Sequence, residues 1–476
     1  MAEKYNNVLY HRHQYARIEI FKNHFYIKEY DENVYEIIYK LKRYAESGIK
    51  NYTHSVDLWM KNSGLIIDCD EKKNALRNLF KNSKVAFIYG AAGTGKSTMI
   101  NYISSLFKDK QKIFLANTNP AVENLRRKVT AEHAEFVTIT KFLSKDVSND
   151  CDILCLDECS TISNRDMVRV LQRAQCKLLV LVGDIYQIES ILFGNWFNIA
   201  YKVMPKDSVA ELTRPHRTTV QGLIEVWNKV REITEDRLEF ITRNGLSSTL
   251  DESIFSRTEE DEIVLCLNYD GIYGINNINK FLQSNNVNPS INWGVLSYKV
   301  GDPVLFNESN RFAPLVYNNL KGKILQIEEE EDCIYFTIEV YTVLNELDVI
   351  GFDLELKESV TDETSVIRFK VGRGGDGNDD NDNVENVVPF QVAYAISIHK
   401  AQGLEYESVK VVITSEIEEM VSHNIFYTAI TRAKSKLKIY WSPETEKRIL
   451  ENMKVQFNDK DYQLFKAKYK EALLKS

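Results

Sequence analysis

The sequence has few cysteines, no long apolar run and no excess of positive charge. Seven cysteines in 476 residues are too few, and odd in number, for a secreted protein held by disulfides. No apolar run approaches the ~18 residues that a membrane-spanning helix needs, and the first residues lack the apolar segment of a secretion signal. We therefore expect a protein of the reducing cytoplasm with no membrane partner.

The charge balance and composition exclude several further classes. The chain carries 60 basic and 68 acidic residues, a formal net charge of -8, which excludes a globally basic coat for nucleic acid but not a local basic groove. With 44% hydrophobic and 27% charged residues, it is neither wholly disordered nor a collagen-like repeat. At ~150 residues per domain, the length predicts about three domains.

Short apolar runs alternate with helical patterns in two separate parts of the chain, which predicts parallel sheets built from βαβ units. Residues 295–370 instead carry successive strand patterns with little helix, and residues 372–386 have the composition of a flexible acidic loop. The predicted segments are an amino-terminal extension at 1–68, a first α/β domain at 69–206, a second α/β domain made of 207–294 and 389–476, the latter with the carboxyl-terminal helices, and a β-rich insertion at 295–388.

The strongest motif is G-x-x-x-x-G-K-[ST] at residues 90–97, between an apolar strand and a helical stretch. Its glycines let successive backbone N–H groups curl around phosphate oxygens, and the following helix N-terminus favours negative charge. Lys96 would bring a charge to the β- and γ-phosphates, and the Ser97 hydroxyl would bind Mg²⁺. The predicted nucleotide contacts in this loop are Gly90, Gly93, Thr94, Gly95, Lys96, Ser97 and Thr98.

Two further apolar strands end in polar residues. Asp157 follows the run Ile153–Leu156 and is predicted to hold Mg²⁺, while Glu158 would position and deprotonate the attacking water. Gln187 follows another strand, and its carboxamide can bond both the γ-phosphate and that water. A base poised beside the metal favours hydrolysis over phosphoryl transfer to a substrate.

These three elements, in this order, resemble those of superfamily 1 helicases of the UvrD/RecD type. Other segments resemble further motifs of that family: 112–127 and 138–143 its first two single-strand contacts, 212–217 the opening of its second motor domain, and 395–405 and 427–434 its fifth and sixth motifs. The resemblance covers about residues 70–445. It implies an α/β fold with two RecA-like P-loop motor domains and a small β-barrel insertion in the second. Residues 1–68 lie outside the resemblance, and their strand-like stretch at 18–26 and helical pattern at 34–44 predict a short α+β amino-terminal extension.

The resemblance also assigns roles to individual residues. Arg217 and Arg432 would reach the γ-phosphate of ATP bound between the two domains, since a guanidinium pairs phosphate oxygens in bidentate fashion. Gly403 and Glu405 are expected beside the nucleotide, with Glu405 at the ribose. The single-strand contacts, which would bond phosphates without reading sequence, are expected to be Thr118, Asn119, Thr138, Ser397 and His399.

The sequence therefore predicts an ATP-dependent helicase or translocase that couples Mg-ATP hydrolysis to movement on single-stranded nucleic acid, DNA rather than RNA. Residues 301–324 resemble the insertion of the RecD-like branch, which implies 5′–3′ movement. One alternative is a nucleic-acid-dependent ATPase switch that signals to a partner such as a nuclease. A second alternative is a non-catalytic nucleic-acid-binding scaffold, against which the complete set of catalytic residue types argues.

The chain departs from the family pattern in two places. Family members usually carry a glutamine, which reads adenine, where this chain has Lys72, so ATP over GTP is only the family default. The segments 128–137 and 144–150 are short and leave little room for a duplex-parting pin. We therefore expect weak unwinding unless residues 1–68 or a partner protein supply the wedge.

Overall fold

The structure is a computed structural model that describes residues 2–144, 148–188, 192–214, 218–307, 311–313, 315–359, 361–373, 386–454 and 458–470. Its contacts divide the chain into two compact units. The first contains Met1–Ile224, His423–Tyr427 and Lys454–Ser476, and the second contains Glu225–Ser422 and Thr428–Met453. Arg217 and most of the loop predicted at 372–386 lie outside the described residues, so those predictions stay predictions.

The first unit begins with helices and a short hairpin. In the hairpin, Ile18 pairs with Ile27, and Lys22 makes the turn with a φ of 51°. The second helix buries Val34, Ile37, Ile38 and Leu41, a spacing that places all four on one face. The elements are α1 (Ala2–Val8), β1 (Ile18–Phe21), β2 (His24–Ile27), α2 (Lys28–Ala45), α3 (Tyr52–Asn62) and α4 (Asp70–Asn78).

A six-stranded parallel sheet forms the centre of the first unit, with strand order β5-β4-β6-β7-β3-β8. Strand β3 is buried on both faces: Val85, Phe87 and Tyr89 enter one core, and Ala86 and Ile88 the other. The elements are β3 (Val85–Gly90), α5 (Lys96–Leu106), β4 (Lys112–Ala116), α6 (Asn119–Lys128), β5 (Ala134–Thr138), α7 (Ile139–Leu143), β6 (Asp150–Leu156), α8 (Asn164–Arg173), β7 (Gln175–Gly183), α9 (Trp196–Val203) and β8 (Val209–Leu212). The α/β class predicted from the alternating runs is confirmed.

The second unit contains its own parallel sheet, with strand order β19-β10-β20-β21-β9. Two neighbouring strands of this sheet are Glu262–Cys266 and Tyr406–Val412. The elements outside the insertion are α10 (Gln221–Glu232), which spans the boundary between the units, α11 (Arg237–Arg243), β9 (Ser247–Ser248), β10 (Glu262–Cys266), α12 (Ile275–Ser284), β19 (Ala395–Ser397), β20 (Tyr406–Val412), α13 (His423–Ile430), β21 (Ala433–Tyr440) and α14 (Pro443–Asn452).

Between β10 and β19 the chain forms antiparallel strands. Six of them make one sheet, with strand order β16-β17-β15-β14-β13-β18, around a core that includes Phe306, Phe336, Phe369 and Phe390. Closure of this sheet into a barrel stays a prediction. The strands are β11 (Ser290–Trp293), β12 (Leu296–Lys299), β13 (Pro303–Phe306), β14 (Lys321–Glu329), β15 (Cys333–Val340), β16 (Glu355–Lys357), β17 (Ser365–Gly372) and β18 (Phe390–Val392).

The contacts place two segments differently from the predicted domain limits. Strand β8 lies after the predicted boundary at 206, yet it pairs with β3 in the first sheet. The last helix, α15 (Asp459–Lys468), falls in the first unit, where Lys468 Nζ donates to Asp31 and to Tyr26 Oη. Burial opposes the charge, but these hydrogen bonds outweigh it and raise the pKa of Lys468. Asp31 also accepts from Tyr469 Oη at 2.7 Å.

Replacing Lys468 with methionine is expected to destabilise the first unit, because the Asp31 side chain is only 5% exposed and would lose its cation. Leaving a buried charged group short of a partner costs about 1–3 kcal/mol. The change should lower the urea midpoint followed by tryptophan fluorescence. Lys466→Met, on an exposed position of the same helix, is the matched control, and equal midpoints for the two variants would contradict the prediction.

All seven cysteines are free thiols. Six of them are buried, and Cys151 and Cys155 lie in different cores of the first unit. Among the helices of the described ranges, none combines the length and the apolar character needed to cross a membrane.

Candidate functional site

The loop between β3 and α5 requires glycine for its geometry. Gly93 and Gly95 have φ values of 78° and 86°, in the left-handed region that glycine adopts without strain. A Cβ on Gly90 would lie 2.5 Å from Thr94 Oγ1. That hydroxyl donates to the Ala91 carbonyl at 2.9 Å and closes the loop on itself.

Lys96 begins α5 and folds its side chain back over the loop. Its Nζ donates to the carbonyls of Gly90 and Ala91, each at 2.9 Å. Ser97 and Thr98 follow in the first turn of the helix and are half-buried. The ammonium and the helix N-terminus concentrate positive charge at one point, which suits a polyphosphate.

Asp157 and Glu158 follow β6 in a constrained turn. The Asp157 N–H donates to the Leu115 carbonyl at 2.9 Å and continues the pairing with β4. Glu158 has a φ of 52°, a left-handed conformation that is uncommon for a residue with a side chain and concentrates at functional sites. Its N–H donates to Asp157 Oδ1 at 2.8 Å, so the backbone of one residue fixes the carboxylate of the other.

Burial raises the pKa of Asp157, while the Glu158 N–H and the charges of Lys96 and Lys128 act in the opposite direction. A desolvated carboxylate of this kind gains most from a nearby cation. The Asp157 carboxylate and the Ser97 hydroxyl are oxygen ligands of the type that Mg²⁺ takes. The residues present therefore fit the predicted magnesium site.

The third element of the site follows β7. A Cβ on Gly183 would lie 2.6 Å from the ring of Phe197, so glycine is required where the strand ends. Asp184 is buried, and its Oδ1 accepts from the Tyr186 N–H at 3.0 Å. The Asp184 carbonyl accepts from the Gln187 N–H at 3.3 Å. This turn holds Gln187 half-buried just beyond the strand.

These three elements share one edge of the first sheet. Strands β6, β7 and β3 are consecutive neighbours and parallel, so their carboxyl ends point the same way. The phosphate loop follows β3, Asp157 and Glu158 follow β6, and Gln187 follows β7. The carboxyl edge of a parallel sheet is where α/β folds bind ligands.

The first-unit residues predicted to contact a nucleic-acid strand follow the next two strands. Thr118 follows β4, is exposed, and caps α6 by accepting from the Ala121 N–H. Asn119 is exposed beside it. Thr138 ends β5 and caps α7 by accepting from the Lys141 N–H at 3.2 Å. These hydroxyls help to terminate their helices, and their contact with nucleic acid stays a prediction.

The second-unit candidates lie in the segments 395–405 and 427–434. Ser397 ends β19, is buried, and accepts from the Lys400 N–H at 3.2 Å, whereas His399 is exposed. Gly403 has a φ of 79°, and Glu405 is half-buried.

Arg432 is 3% exposed and bonded to backbone within the second unit. Its Nε donates to the Thr428 carbonyl at 3.0 Å, and its Nη1 donates to the Leu404 carbonyl at 3.2 Å. Arg432 therefore ties together the two segments that resemble the fifth and sixth motifs. Its role at the γ-phosphate stays a prediction.

Two aromatic residues after Gln187 have structural partners. Phe193 stacks on Tyr30 with ring centroids 4.1 Å apart, and Trp196 is fully buried and donates its indole N–H to the Ile162 carbonyl. Both rings therefore pack against other residues of the first unit.

Sequence analysis did not single out Asp68, which accepts from Lys72 Nζ at 2.6 Å. Lys72 is 1% exposed, and its Nζ lies 2.6 Å from where a Cβ on Gly95 would stand. The pair therefore lies against the phosphate loop. The i,i+4 spacing of an acidic and a basic residue was the available signal.

The sequence matches two protein families. Residues 69–251 match an AAA domain, and residues 392–440 match the UvrD-like helicase C-terminal domain. The RecD subunit of the RecBCD enzyme from Buchnera aphidicola is 23% identical, over 81% of this chain and 78% of that protein. The ATP-dependent DNA helicase Pif1 of Campylobacter jejuni is 23% identical, over 74% of this chain and 88% of that protein.

A third relative is longer. An uncharacterized protein of Methanocaldococcus jannaschii is 24% identical over 77% of this chain, but the match spans only 37% of that protein. Among solved structures, Pif1 from Bacteroides in complex with ADP-AlF₃ and single-stranded DNA matches with a TM-score of 0.50 and 16% identity, over 86% of this chain and 98% of that one. A structure of two coordinating Pif1 helicases at forked double-stranded DNA gives a TM-score of 0.51 at 17% identity, with the same coverage. In its two matched families and in the order of its motifs, the chain is similar to the RecD-like and Pif1-like superfamily 1 helicases, which are ATP-hydrolysing enzymes.

Proposed function

We propose that this chain couples hydrolysis of Mg-ATP to 5′–3′ movement on single-stranded DNA. The observation that carries the proposal is the shared carboxyl edge of β3, β6 and β7, which brings a phosphate loop, two carboxylates and a carboxamide to one side of the sheet. A phosphate site, a metal ligand and a base are the components that nucleotide hydrolysis needs.

In this proposal each residue of the edge has one task. Lys96 binds the β- and γ-phosphates, and the Glu158 carboxylate takes a proton from the attacking water. Gln187 orients that water against the γ-phosphate. Because the Glu158 N–H holds Asp157, the two carboxylates keep distinct positions and roles.

Ser97 and Asp157 would hold Mg²⁺. When bound, the ion neutralises charge that develops on the phosphate oxygens. Gly403 and Glu405 would contribute to nucleotide binding. Arg217 and Arg432 would supply the guanidinium charge that hydrolysis requires, as the family resemblance implies. Arg432 would leave at least one of its present backbone partners to do so.

The proposal that the polymer is DNA is supported by the relatives and by the residues predicted to contact a nucleic-acid strand. One relative is named as an ATP-dependent DNA helicase, and a Bacteroides Pif1 with the same fold was solved with single-stranded DNA. Thr118, Asn119, Thr138, Ser397 and His399 offer hydroxyl, amide and imidazole groups that bond phosphates without reading bases. The 5′–3′ direction follows from the RecD-like resemblance.

Steady-state ATP hydrolysis tests the proposal. Single-stranded DNA is expected to raise the rate at least several-fold, because a motor hydrolyses ATP productively only on its track. Phosphate release is measured with no polymer, with single-stranded DNA and with single-stranded RNA, beside Lys96→Ala as the inactive reference. A hydrolysis rate that neither polymer changes would contradict a motor. Stimulation by RNA alone would indicate that the chain moves on RNA instead of DNA.

A second candidate is an ATPase switch that acts through a partner protein. The segment that joins α6 to β5 is short, as is that between α7 and β6, which leaves little room for a duplex-parting pin. The RecD relatives are named as subunits of a larger enzyme. A forked DNA substrate separates the two candidates: strand separation by the purified chain supports the motor, and DNA-stimulated hydrolysis without separation supports the switch.

A further inference from the structure

Lys321 is a lysine of the β-rich insertion whose ammonium lies against the parallel sheet of the second unit. It begins β14, and its Nζ donates to Asp261 Oδ1 at 2.6 Å and to the Glu405 carbonyl at 3.3 Å. The same ammonium lies 4.1 Å from the ring centroid of Tyr406 and 5.2 Å from that of Tyr341. The side chain is 19% exposed. The insertion therefore places a largely buried cation beside the segment that is predicted to bind the nucleotide.

The backbone on both sides of Glu405 is held by a cation. Arg432 Nη1 donates to the Leu404 carbonyl at 3.2 Å, and Lys321 Nζ donates to the Glu405 carbonyl. These carbonyls belong to the planar peptide groups before and after the Glu405 Cα, so the two contacts together restrain its φ and ψ. In the proposed hydrolysis Arg432 gives up at least one of its backbone partners. If it releases the Leu404 carbonyl, the Lys321 contact is the one that still restrains Glu405.

Asp261, which immediately precedes β10, fixes the ammonium at this point. Its Oδ1 accepts from Lys321, and its Oδ2 accepts from the Glu407 N–H at 3.2 Å. Burial lowers the pKa of Lys321, while the charge of Asp261 and its hydrogen bond act in the opposite direction. Asp261 therefore favours the charged lysine, which is the stronger donor to a carbonyl. The carboxylate also ties that lysine to the backbone just after Glu405.

Attachment of the insertion to the rest of the second unit does not depend on Lys321 alone. Asp302 Oδ1, which lies in the insertion, accepts from Tyr394 Oη at 2.8 Å and from Asn286 Nδ2 at 2.9 Å. Lys323, two residues further along β14, pairs with Glu260. Neither contact involves residues 404–407. What distinguishes Lys321 is therefore its hold on the Glu405 backbone and not its share in docking the insertion.

We propose that Lys321 is a positioning residue for nucleotide binding, which holds the Glu405 backbone so that the carboxylate meets the ribose hydroxyls. Asp261 supports this role by fixing the ammonium. The insertion thereby contributes to the nucleotide site through a residue that need not touch the nucleotide. The inference rests on the proposed nucleotide role of Glu405 but not on movement along DNA.

The ratio of the affinities for ADP and 2′,3′-dideoxy-ADP, measured by titration calorimetry with magnesium chloride and no nucleic acid, tests this role. The wild-type chain should bind ADP about tenfold more tightly, the lower end for a hydrogen bond to a charged group. Lys321→Met should lower that ratio several-fold, because the apolar stem remains but the donors are lost. Asp261→Asn should act in the same direction, because the amide keeps the shape of the carboxylate without its charge. An unfolded fraction reduces the binding of both nucleotides equally and leaves the ratio unchanged.

Lys323→Met is the matched control, since Lys323 lies on the same strand and its ion pair is with Glu260. It should keep the wild-type ratio. Glu405→Ala should bring the ratio close to one, and adding Lys321→Met should change it no further, because the two residues act through one contact.

Three results would overturn the proposal: a Lys321→Met variant with an unchanged ratio, a further change of the ratio in the double variant, or a wild-type chain that binds both nucleotides equally. A loss of affinity by the same factor for both nucleotides in Lys321→Met is the first of these results and would indicate a purely structural role. A chain that prefers ADP, but whose hydrolysis rate DNA does not change, would contradict the proposed motor alone.

Discussion

Replacing Lys96 with alanine is expected to lower ATP hydrolysis roughly 10²–10³-fold, the usual cost of removing one preorganised group that stabilises transition-state charge. The Lys96 side chain extends from the start of α5, and its ammonium donates to the loop carbonyls of Gly90 and Ala91. It also counteracts the burial that raises the pKa of Asp157. Its loss should therefore weaken nucleotide binding as well as the chemical step.

The measurement is phosphate release at saturating single-stranded DNA, with ADP affinity measured in parallel. Lys84→Ala is the matched control, because Lys84 is an exposed lysine that immediately precedes β3, at the opposite end of the strand from the loop. It should hydrolyse ATP at the wild-type rate. If Lys96→Ala retains full activity, the loop at 90–97 is not the catalytic phosphate site, and the motor and the switch both fail.

The elements of the site could be predicted from the sequence because each depends on local chemistry. The loop at 90–97 needs glycine where φ is positive, and Gly93 and Gly95 have such φ values. Asp157 and Gln187 could be placed at strand ends because the apolar runs before them are continuous, as in strands that are buried on both faces. Parallel strands that alternate with helices then bring their carboxyl ends to one edge.

The domain limits depend on contacts between residues far apart in the sequence. Strand β8 has four residues, of which Glu211 is exposed, so its short pattern gives no sign that it joins the first sheet. Lys468 pairs with Asp31 across 437 positions, a separation that no local pattern reports. The Asp68–Lys72 pair could have been found by its spacing. Its place beside Gly95 could not, because that depends on how α4 packs against the loop.

Replacing Glu158 with glutamine is expected to lower ATP hydrolysis roughly 10²–10⁴-fold, the range attributed to general acid–base catalysis. Glutamine has almost the same shape but cannot take a proton from water. The hydrogen bond that fixes Asp157 comes from the Glu158 backbone N–H, so the substitution leaves it in place. The Glu158 carbonyl likewise keeps its bonds from the Thr161 N–H and hydroxyl. The turn and the metal ligand should survive, and nucleotide affinity should stay at the wild-type value.

Loss of hydrolysis with unchanged nucleotide affinity distinguishes a catalytic base from a residue that only supports the turn. Glu135→Gln, a half-buried glutamate on β5, is the matched control and should hydrolyse ATP normally. A Glu158→Gln variant that loses ADP affinity, as Lys96→Ala should, would show that the carboxylate supports the turn instead of the chemistry.

The same variant also separates the two proposed functions, because it stops the cycle after ATP has bound. A motor arrested with ATP bound is expected to stay bound to single-stranded DNA without moving along it. A switch held there would still signal to its partner. Co-purification of a partner protein with Glu158→Gln, ATP and DNA, absent with Lys96→Ala, would favour the switch. Retention on DNA with no partner would favour the motor, since ATP binding alone would then set the affinity for the track.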